Sequence, residues 1–441
     1  MRTCRNPIWR PRAPRKRPGS STRRFPRNGS GFSSGDVSRR RLQSSRRPSS
    51  CSLRKPSPTL SGLLNHRRPN LRSPDRHLLR SDGWTGMLTV IVIPCFNERD
   101  EIFLAAKSFG FGLGEETTPK DTHLVLVDNG STDGTPASLR AIRGFSRKGA
   151  VVVTSEAERG YVPPRAKGVT VAARLTRSMG VSPERVLILQ ADADTRYEPG
   201  YVDAFRQAAE SATGPALIEG LTHAPGRFLD GHPGFQRLAD TVDAEMAPFL
   251  VDDSLDVIVD DKVSGYFLAS YVAWGGHQRQ YRADGKEIHA ETSRLFLRGK
   301  RMGAAHVRAP LAQAMPSRRK ILRNSIRHFA TAGFPRDEAW WRKWSRDYQG
   351  PRDLAAFEGP DPGPPLDRAI ATRKAHLLAL MSALPLLVAG PQQVEIERRR
   401  ARLHPLVDTF FLGLHAPPRA DDVAAVFDLA LGAIDGWDAL L

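Results

Sequence analysis

The chain has 441 residues, enough for two or three domains with a sizeable core, and 66 Lys and Arg stand against 47 Asp and Glu, a formal net charge of +19. That excess invites a nucleic-acid reading, but residues 1–86 alone carry 22 basic residues against three aspartates, and the 44 basic and 44 acidic residues that follow cancel. Cys4, Cys51 and Cys95 are too few and too scattered for a disulfide framework or a zinc cluster, and Cys95 reads as a small buried residue behind a strand.

Residues 1–86 are rich in Arg, Pro and Ser and have almost no hydrophobic periodicity. Such a segment cannot bury enough apolar surface to offset its ordering entropy, so disorder is expected. Leu60 to Leu64 is too short for a secretory apolar region. A basic tail for RNA, DNA or anionic lipid and an Arg-rich transit peptide are both open readings. The expectation adopted is a start at Met87, directly before the first strand, with no nucleic-acid partner and a cytoplasmic location.

From Met87 the pattern alternates strand and helix, which predicts an α/β domain on a parallel sheet. Leu88 to Ile93 is a β-branched apolar run, and Pro94 is expected to stop its ladder before the loop Cys95-Phe96-Asn97-Glu98. Ile102 to Phe109 can start a helix. Leu124 to Val127 predicts the second strand, followed by Asp128-Asn129-Gly130-Ser131-Thr132-Asp133-Gly134-Thr135, where the turn residues cap a helix and Asp133 reads as such a cap. Val151 to Val153 predicts a third strand, and Arg165 to Arg174 a helix.

Val186 to Leu189 suits a strand buried on both faces, and it leads straight into Asp192-Ala193-Asp194. Ligands in open α/β sheets sit at the carboxyl ends of strands. Two carboxylates there, one residue apart, can hold a divalent cation that completes its shell with water and substrate phosphates. Alone the pattern is cheap and a polar loop would explain it. Asn97 and Glu98, Asp128, and Arg165 lie at the other strand ends, where acids and amides suit ribose hydroxyls or base edges and Arg suits a phosphate.

Gly200 to Ala212 predicts a helix and Leu217 to Leu221 a strand. Asp252, Asp253, Asp256, Asp260 and Asp261 lack the Gly and Glu of an EF-hand loop and read as a solvated loop or helix start. Next come Ser264 to Leu268, the turn Gly275-Gly276, and a helix opening at Glu291-Thr292. Further on, Pro316 to Phe334 mixes basic and apolar residues at helical spacing, and Ala339 to Trp344 is aromatic and basic. Gly359 to Pro365 reads as a linker, His376 to Gly390 as a core helix too short to span a membrane, and Val423 to Leu441 as a last helix.

VIVIPCFNE, LVDNGSTDGT, the Arg-Ala-Lys-Gly that follows Glu158-Arg159-Gly160, and LILQADADT, in that order, resemble the successive motifs of family 2 glycosyltransferases. The resemblance runs from Met87 to about Pro310. It implies a GT-A fold, a Rossmann-like mixed sheet flanked by helices that binds a nucleotide-diphosphate sugar, over residues 87–310, with a helical extension over 311–441. By position it implies Pro94, Asn97 and Glu98 in the nucleoside pocket, Asp128 facing the base and Arg165 near the nucleotide. It makes Asp192 and Asp194 the D-x-D pair for Mg²⁺ or Mn²⁺, with Asp194 the more direct ligand. Asn129 stands where the family often has Asp.

An inverting transfer to a hydroxyl acceptor (glycan, lipid or small molecule) needs a base for the departing proton. The resemblance implies one at the start of the Glu291 helix, but its usual Asp position holds Thr292, which cannot accept a proton near neutral pH. Glu291 is the base expected, with Asp284, Glu287 or His289 as substitutes and His306 as a third metal ligand in reserve. The alternatives are a donor-binding but catalytically idle protein, a nucleotidyltransferase, and nucleic-acid binding through residues 1–86. Peripheral membrane contact is a minor option.

Overall fold

The computed structural model describes residues 86–223, 231–249, 259–281, 285, 287, 291–331, 354–359 and 363–377. All but the last residue of the expected 1–86 segment, Asp252, Asp253 and Asp256, Asp284 and His289, Ala339 to Trp344, and nearly all of the C-terminal stretch from His376 lie outside them.

Eight strands form one mixed sheet in the order β3-β2-β1-β4-β7-β6-β8-β5. The strands are β1 Leu88–Cys95, β2 Thr122–Asp128, β3 Val151–Ser155, β4 Val186–Gln190, β5 Thr195–Tyr197, β6 Ala216–Thr222, β7 Ser264–Phe267 and β8 Ala305–Pro316. The first four are parallel, with β1 central between β2 and β4. The direction changes at β7, which runs antiparallel to both β4 and β6. β8 then runs parallel to β6 and ends antiparallel to β5. The α/β class expected from the alternating pattern is the class found.

The apolar runs become central strands because helices cover both faces. Ile91, Ile93, Leu124, Leu126, Leu187 and Leu189 lie in one core with α1 (Ile102–Ser108), α2 (Thr135–Gly144) and α4 (Tyr201–Ser211). Their neighbours one residue along, such as Val92 and Val127, face α3 (Val162–Ser178) on the other side. Contact there is close: a Cβ on Gly168 of α3 would lie 2.2 Å from Val92 Cγ1. Only a bare backbone lets α3 seat this deeply, and that depth carries Arg165 into the sheet's carboxyl end.

Pro94 does not stop the β1 ladder. The strand runs on to Cys95, with Pro94 in register with Val127 and Cys95 with Asp128. A proline lacks only its own N–H, and its carbonyl and strand-compatible φ remain usable.

The second half adds α5 (Pro233–Met246), α6 (Leu268–Ala273) and α7 (Glu291–Arg301). Gly275 and Gly276 both have positive φ, 80° and 65°, as the expected Gly-Gly turn requires. After β8 come α8 (Arg319–Arg323), α9 (Ser325–Thr331) and α10 (Gly363–Leu377). Arg373 of α10 forks onto both Asp243 oxygens of α5 at 2.9 and 3.1 Å, and Phe235, Phe329 and Phe357 meet with centroids 4.9–6.0 Å apart. Among the described residues, no helix is long and apolar enough to cross a membrane.

Candidate active site

Parallel strands present their carboxyl ends on one side, so the loops after β1, β2 and β4 converge. Asn97 sits in the left-handed region at φ 55°, unusual for a residue with a Cβ. Its side chain explains the position: Oδ1 accepts the Thr132 N–H at 2.8 Å, while its own N–H reaches Ser131 Oγ at 3.0 Å. Glu98 N–H donates to Thr135 Oγ1 at 2.8 Å. The β1 loop is thus stitched to the β2 loop, and Asn97 serves as its brace. Asp128 Oδ1 accepts the Ser131 N–H at 3.2 Å, and Asp133 accepts the Thr135 N–H at 2.9 Å, the cap expected of it.

Asn129 is buried, and its amide donates to the carbonyls of Glu156 at 3.0 Å and Glu158 at 2.7 Å. This ties the β2 end to the β3 end. Arg159 beyond it donates to the Gly130 carbonyl at 2.5 Å and lies 4.3 Å over the ring of the exposed Phe96.

Arg165 is the centre of the site. It is buried, yet all three guanidinium nitrogens are used: Nε to Glu291 at 2.7 Å, Nη2 to Asp192 at 2.8 Å and Nη1 to Gln190 Oε1 at 3.2 Å. Burial works against its charge, but Asp192 and Glu291 outweigh that and hold its pKa above the ordinary value. A residue of α3 is thereby bonded to α7, more than a hundred residues away. Gln190, the last residue of β4, turns its Nε2 to Thr292 Oγ1 at 2.9 Å and to Ser264 Oγ at 3.3 Å.

Asp192 and Asp194 leave β4 in a tight turn. The Asp192 N–H reaches the Tyr197 hydroxyl at 2.8 Å, which itself donates to the Lys262 carbonyl at 3.1 Å. The Asp194 carbonyl accepts the Ser317 N–H at 2.8 Å, so the exit of β8 runs along the turn. From there Arg319 reaches Glu98 and stands 3.5 Å from Asp194 Oδ2. Two hard carboxylates fit a cation that relies on substrate phosphates for much of its shell. Among the described residues, no group of three or more His, Cys, Asp or Glu side chains is gathered to hold a metal. His306 is engaged elsewhere, with Nε2 3.0 Å from the buried Glu219 of β6.

Around Glu291 the site is densely charged. Glu291 and Thr292 are both buried at the start of α7. The Asp260–Asp261 pair, expected in a solvated loop or helix start, stands at the start of the short helical turn Asp261–Val263 and is half-buried. Asp260 accepts the Lys262 N–H at 3.1 Å and donates its own N–H to Glu219 at 2.7 Å. Asp261, in the short turn Asp261–Val263, has its carboxyl pushed up to about 7, first by burial and then by the like charge of Glu291, with Arg165 and Thr292 opposing. Glu287 is spoken for, accepting from Arg279 at 3.0 Å and from the Val162 N–H at 3.4 Å.

The eight residues named from the sequence therefore fall into linked groups. Asp192, Arg165 and Glu291 form one bonded cluster; Asp194 and Glu98 share Arg319; Asn97 and Asp128 both brace the Ser131–Thr132 loop; Pro94 lies in β1 behind them. Gln190, Asp261 and Arg319 were not singled out. Gln190 sat inside an apolar run, and Asp261 in an aspartate-rich stretch with no motif to set it apart. Arg319 is one of several basic residues at helical spacing.

Residues 90–213 match the family model described as glycosyl transferase family 2. No curated protein matches the chain. Among solved structures, it is similar to the mannosyltransferase PcManGT from Pyrobaculum calidifontis in complex with GDP-Man and Mn²⁺ (16% identity, 82% of this chain and 90% of that one, TM-score 0.37). It is also similar to S. aureus TarS 1–349 (12%, 80% and 90%, TM-score 0.38) and to glucosyl-3-phosphoglycerate synthase from Mycobacterium tuberculosis (17%, 53% and 76%, TM-score 0.32). At these identities and TM-scores the likenesses carry no functional weight. The matched stretch begins inside β1, ends just past α4 and contains every residue named above from Pro94 to Asp194, so over residues 90–213 the chain is similar to the family 2 glycosyltransferases, on the mixed α/β sheet described above.

Proposed function

We propose that the protein transfers a sugar with inversion from a nucleotide-diphosphate sugar to a hydroxyl acceptor. The observation that carries this is the single bonded cluster Asp192–Arg165–Glu291, which joins the diphosphate end of the donor site to the helix where the acceptor's proton must be taken. Pro94, Asn97, Glu98 and Asp128 would line the nucleoside pocket, with Asn97 holding its loops together. Asp192 and Asp194 would hold Mg²⁺ or Mn²⁺, which when bound neutralises charge on the departing diphosphate. Arg165 fixes the Asp192 carboxylate, and Arg319 places a second guanidinium beside Asp194. Glu291 is the proton acceptor that the sequence names.

The test is calorimetric titration of the full chain with UDP, GDP and dTDP, each with and without Mn²⁺. Metal-dependent binding of one nucleotide, weakened at least tenfold in Asp194→Ala, supports the reading and names the donor's base. A folded protein that binds none of them refutes it. Metal-dependent binding without turnover of any sugar nucleotide would favour the catalytically idle alternative.

A further inference from the structure

We propose that Arg319 is a counter-ion held at the cation place of the donor site, and that a divalent cation displaces it readily only together with a nucleoside diphosphate. This rests on the sugar-transfer reading and adds to it how the parts of the donor complex depend on one another. The guanidinium lies between carboxylates of two different strand-end loops: Nη2 bonds Glu98 of the β1 loop and stands 3.5 Å from Asp194 Oδ2 in the β4 turn. The backbone carries it there. β5 and the end of β8 pair antiparallel, with Thr195 opposite Pro316 and Tyr197 opposite Ala314, and the Ser317 N–H reaches the Asp194 carbonyl at 2.8 Å. Arg319 follows two residues later, so it is anchored to the same turn that presents Asp194. Its neighbour Arg318 points elsewhere, donating to the His223 carbonyl at 2.9 Å.

The two aspartates of the turn are held by arginines of opposite kinds. Arg165, on Asp192, is buried, and its other nitrogens are bonded to Glu291 and Gln190. Arg319, on Asp194, has a side chain 41% exposed, and its contact with Asp194 is long for a charged hydrogen bond. An exposed ion pair is worth little and exchanges readily, whereas breaking the buried one strands its charges. Arg319 is therefore the arginine that can leave. A divalent cation alone would have to take Asp194 from the guanidinium and sit beside it as a like charge. A nucleoside diphosphate brings more negative charge than one divalent cation neutralises. With both present the guanidinium has phosphate oxygens to turn to, and its planar fork suits them. Metal and nucleotide then raise each other's affinity by the same factor. Glu98 gives up the same guanidinium, which ties the β1 loop to the exchange.

The experiment measures Mn²⁺ binding to the full chain by electron paramagnetic resonance of the free ion, alone and with excess UDP, GDP or dTDP. It compares wild type with Arg319→Gln, Arg319→Lys and the double variant Arg319→Gln/Asp194→Ala. Expected in wild type is that one nucleotide tightens Mn²⁺ binding about tenfold or more. Expected in Arg319→Gln is Mn²⁺ alone bound about fivefold or more tighter than in wild type, with the gain from nucleotide reduced by about the same factor. Arg319→Lys keeps the charge and is expected to bind Mn²⁺ alone within about twofold of wild type. The tighter binding of Arg319→Gln should vanish in the double variant, because it belongs to Asp194. Mn²⁺ alone bound no tighter by Arg319→Gln than by wild type overturns the proposal. So does a gain that survives in the double variant, or a nucleotide effect equal in wild type and Arg319→Gln. If these failures occur while wild type binds nucleotide and Mn²⁺ together, the sugar-transfer reading stands and only the role of Arg319 falls. A folded wild type that binds neither sinks both.

Discussion

An aspartate at position 129 would have no proton for the two carbonyls that Asn129 holds. The family resemblance makes Asp the common residue there, yet in this chain the amide donates to Glu156 and Glu158 while buried. Asn129→Asp would place a carboxylate against two carbonyl oxygens and strand both. Loss of about 2–4 kcal/mol of stability is expected, measured by urea unfolding at neutral pH. The same limit governed the residues missed in the sequence. Asn97, Asp128 and Asp192 announced themselves by their places after strands. Asp261 did not, because its burial and the like charge of Glu291 beside it arise only once the chain is folded.

At the scale of elements, the central strands and their helices were legible because burial on both faces writes unbroken apolar runs. β1, β2, β3 and β4 came out within one to two residues of their expected bounds, apart from β1, which passes through Pro94. What the sequence did not show is how deeply α3 is seated. That depth depends on Gly168, whose Cβ would meet Val92 Cγ1 at 2.2 Å. Gly168→Ala is expected to cost about 1–3 kcal/mol through overpacking, although alanine is the better helix former. Val92→Ala should relieve part of that loss, so the double mutant is predicted to be more stable than the two single effects add up to. A strictly additive thermal-melting cycle would show that the two side chains are not coupled.

At the scale of the whole molecule, a parallel half and a mixed half share one sheet, joined where β7 pairs antiparallel with β4. The second half is harder to read from sequence, since its functional residues sit in turns and at a helix start, and its β8 strand is only partly buried. Buried charge crosses the join: Arg165 bonds Glu291 in α7, and Gln190 bonds Thr292. Arg165→Ala would remove the guanidinium bonded to both Glu291 and Asp192. A loss of about 3–5 kcal/mol is expected. Glu291→Gln in that background should cost little more, because the charge that Arg165 balanced is then removed. Equal losses from Glu291→Gln in both backgrounds would show that the pair is not coupled.

The Arg165–Glu291 bond also sets a rule for recombining this chain with its relatives. The family match ends at residue 213, so an exchange of the segments beyond it would be cut shortly after α4, leaving Arg165, Gln190 and Asp192 on one parent and Asp261, Glu291 and Thr292 on the other. A graft whose α7 begins with another pair would inherit a guanidinium and an amide shaped for partners it lacks. Chimaeras that exchange positions 165 and 190 together with the incoming half keep those partners matched, and a cut that ignores them divides one buried charge network between two ancestries.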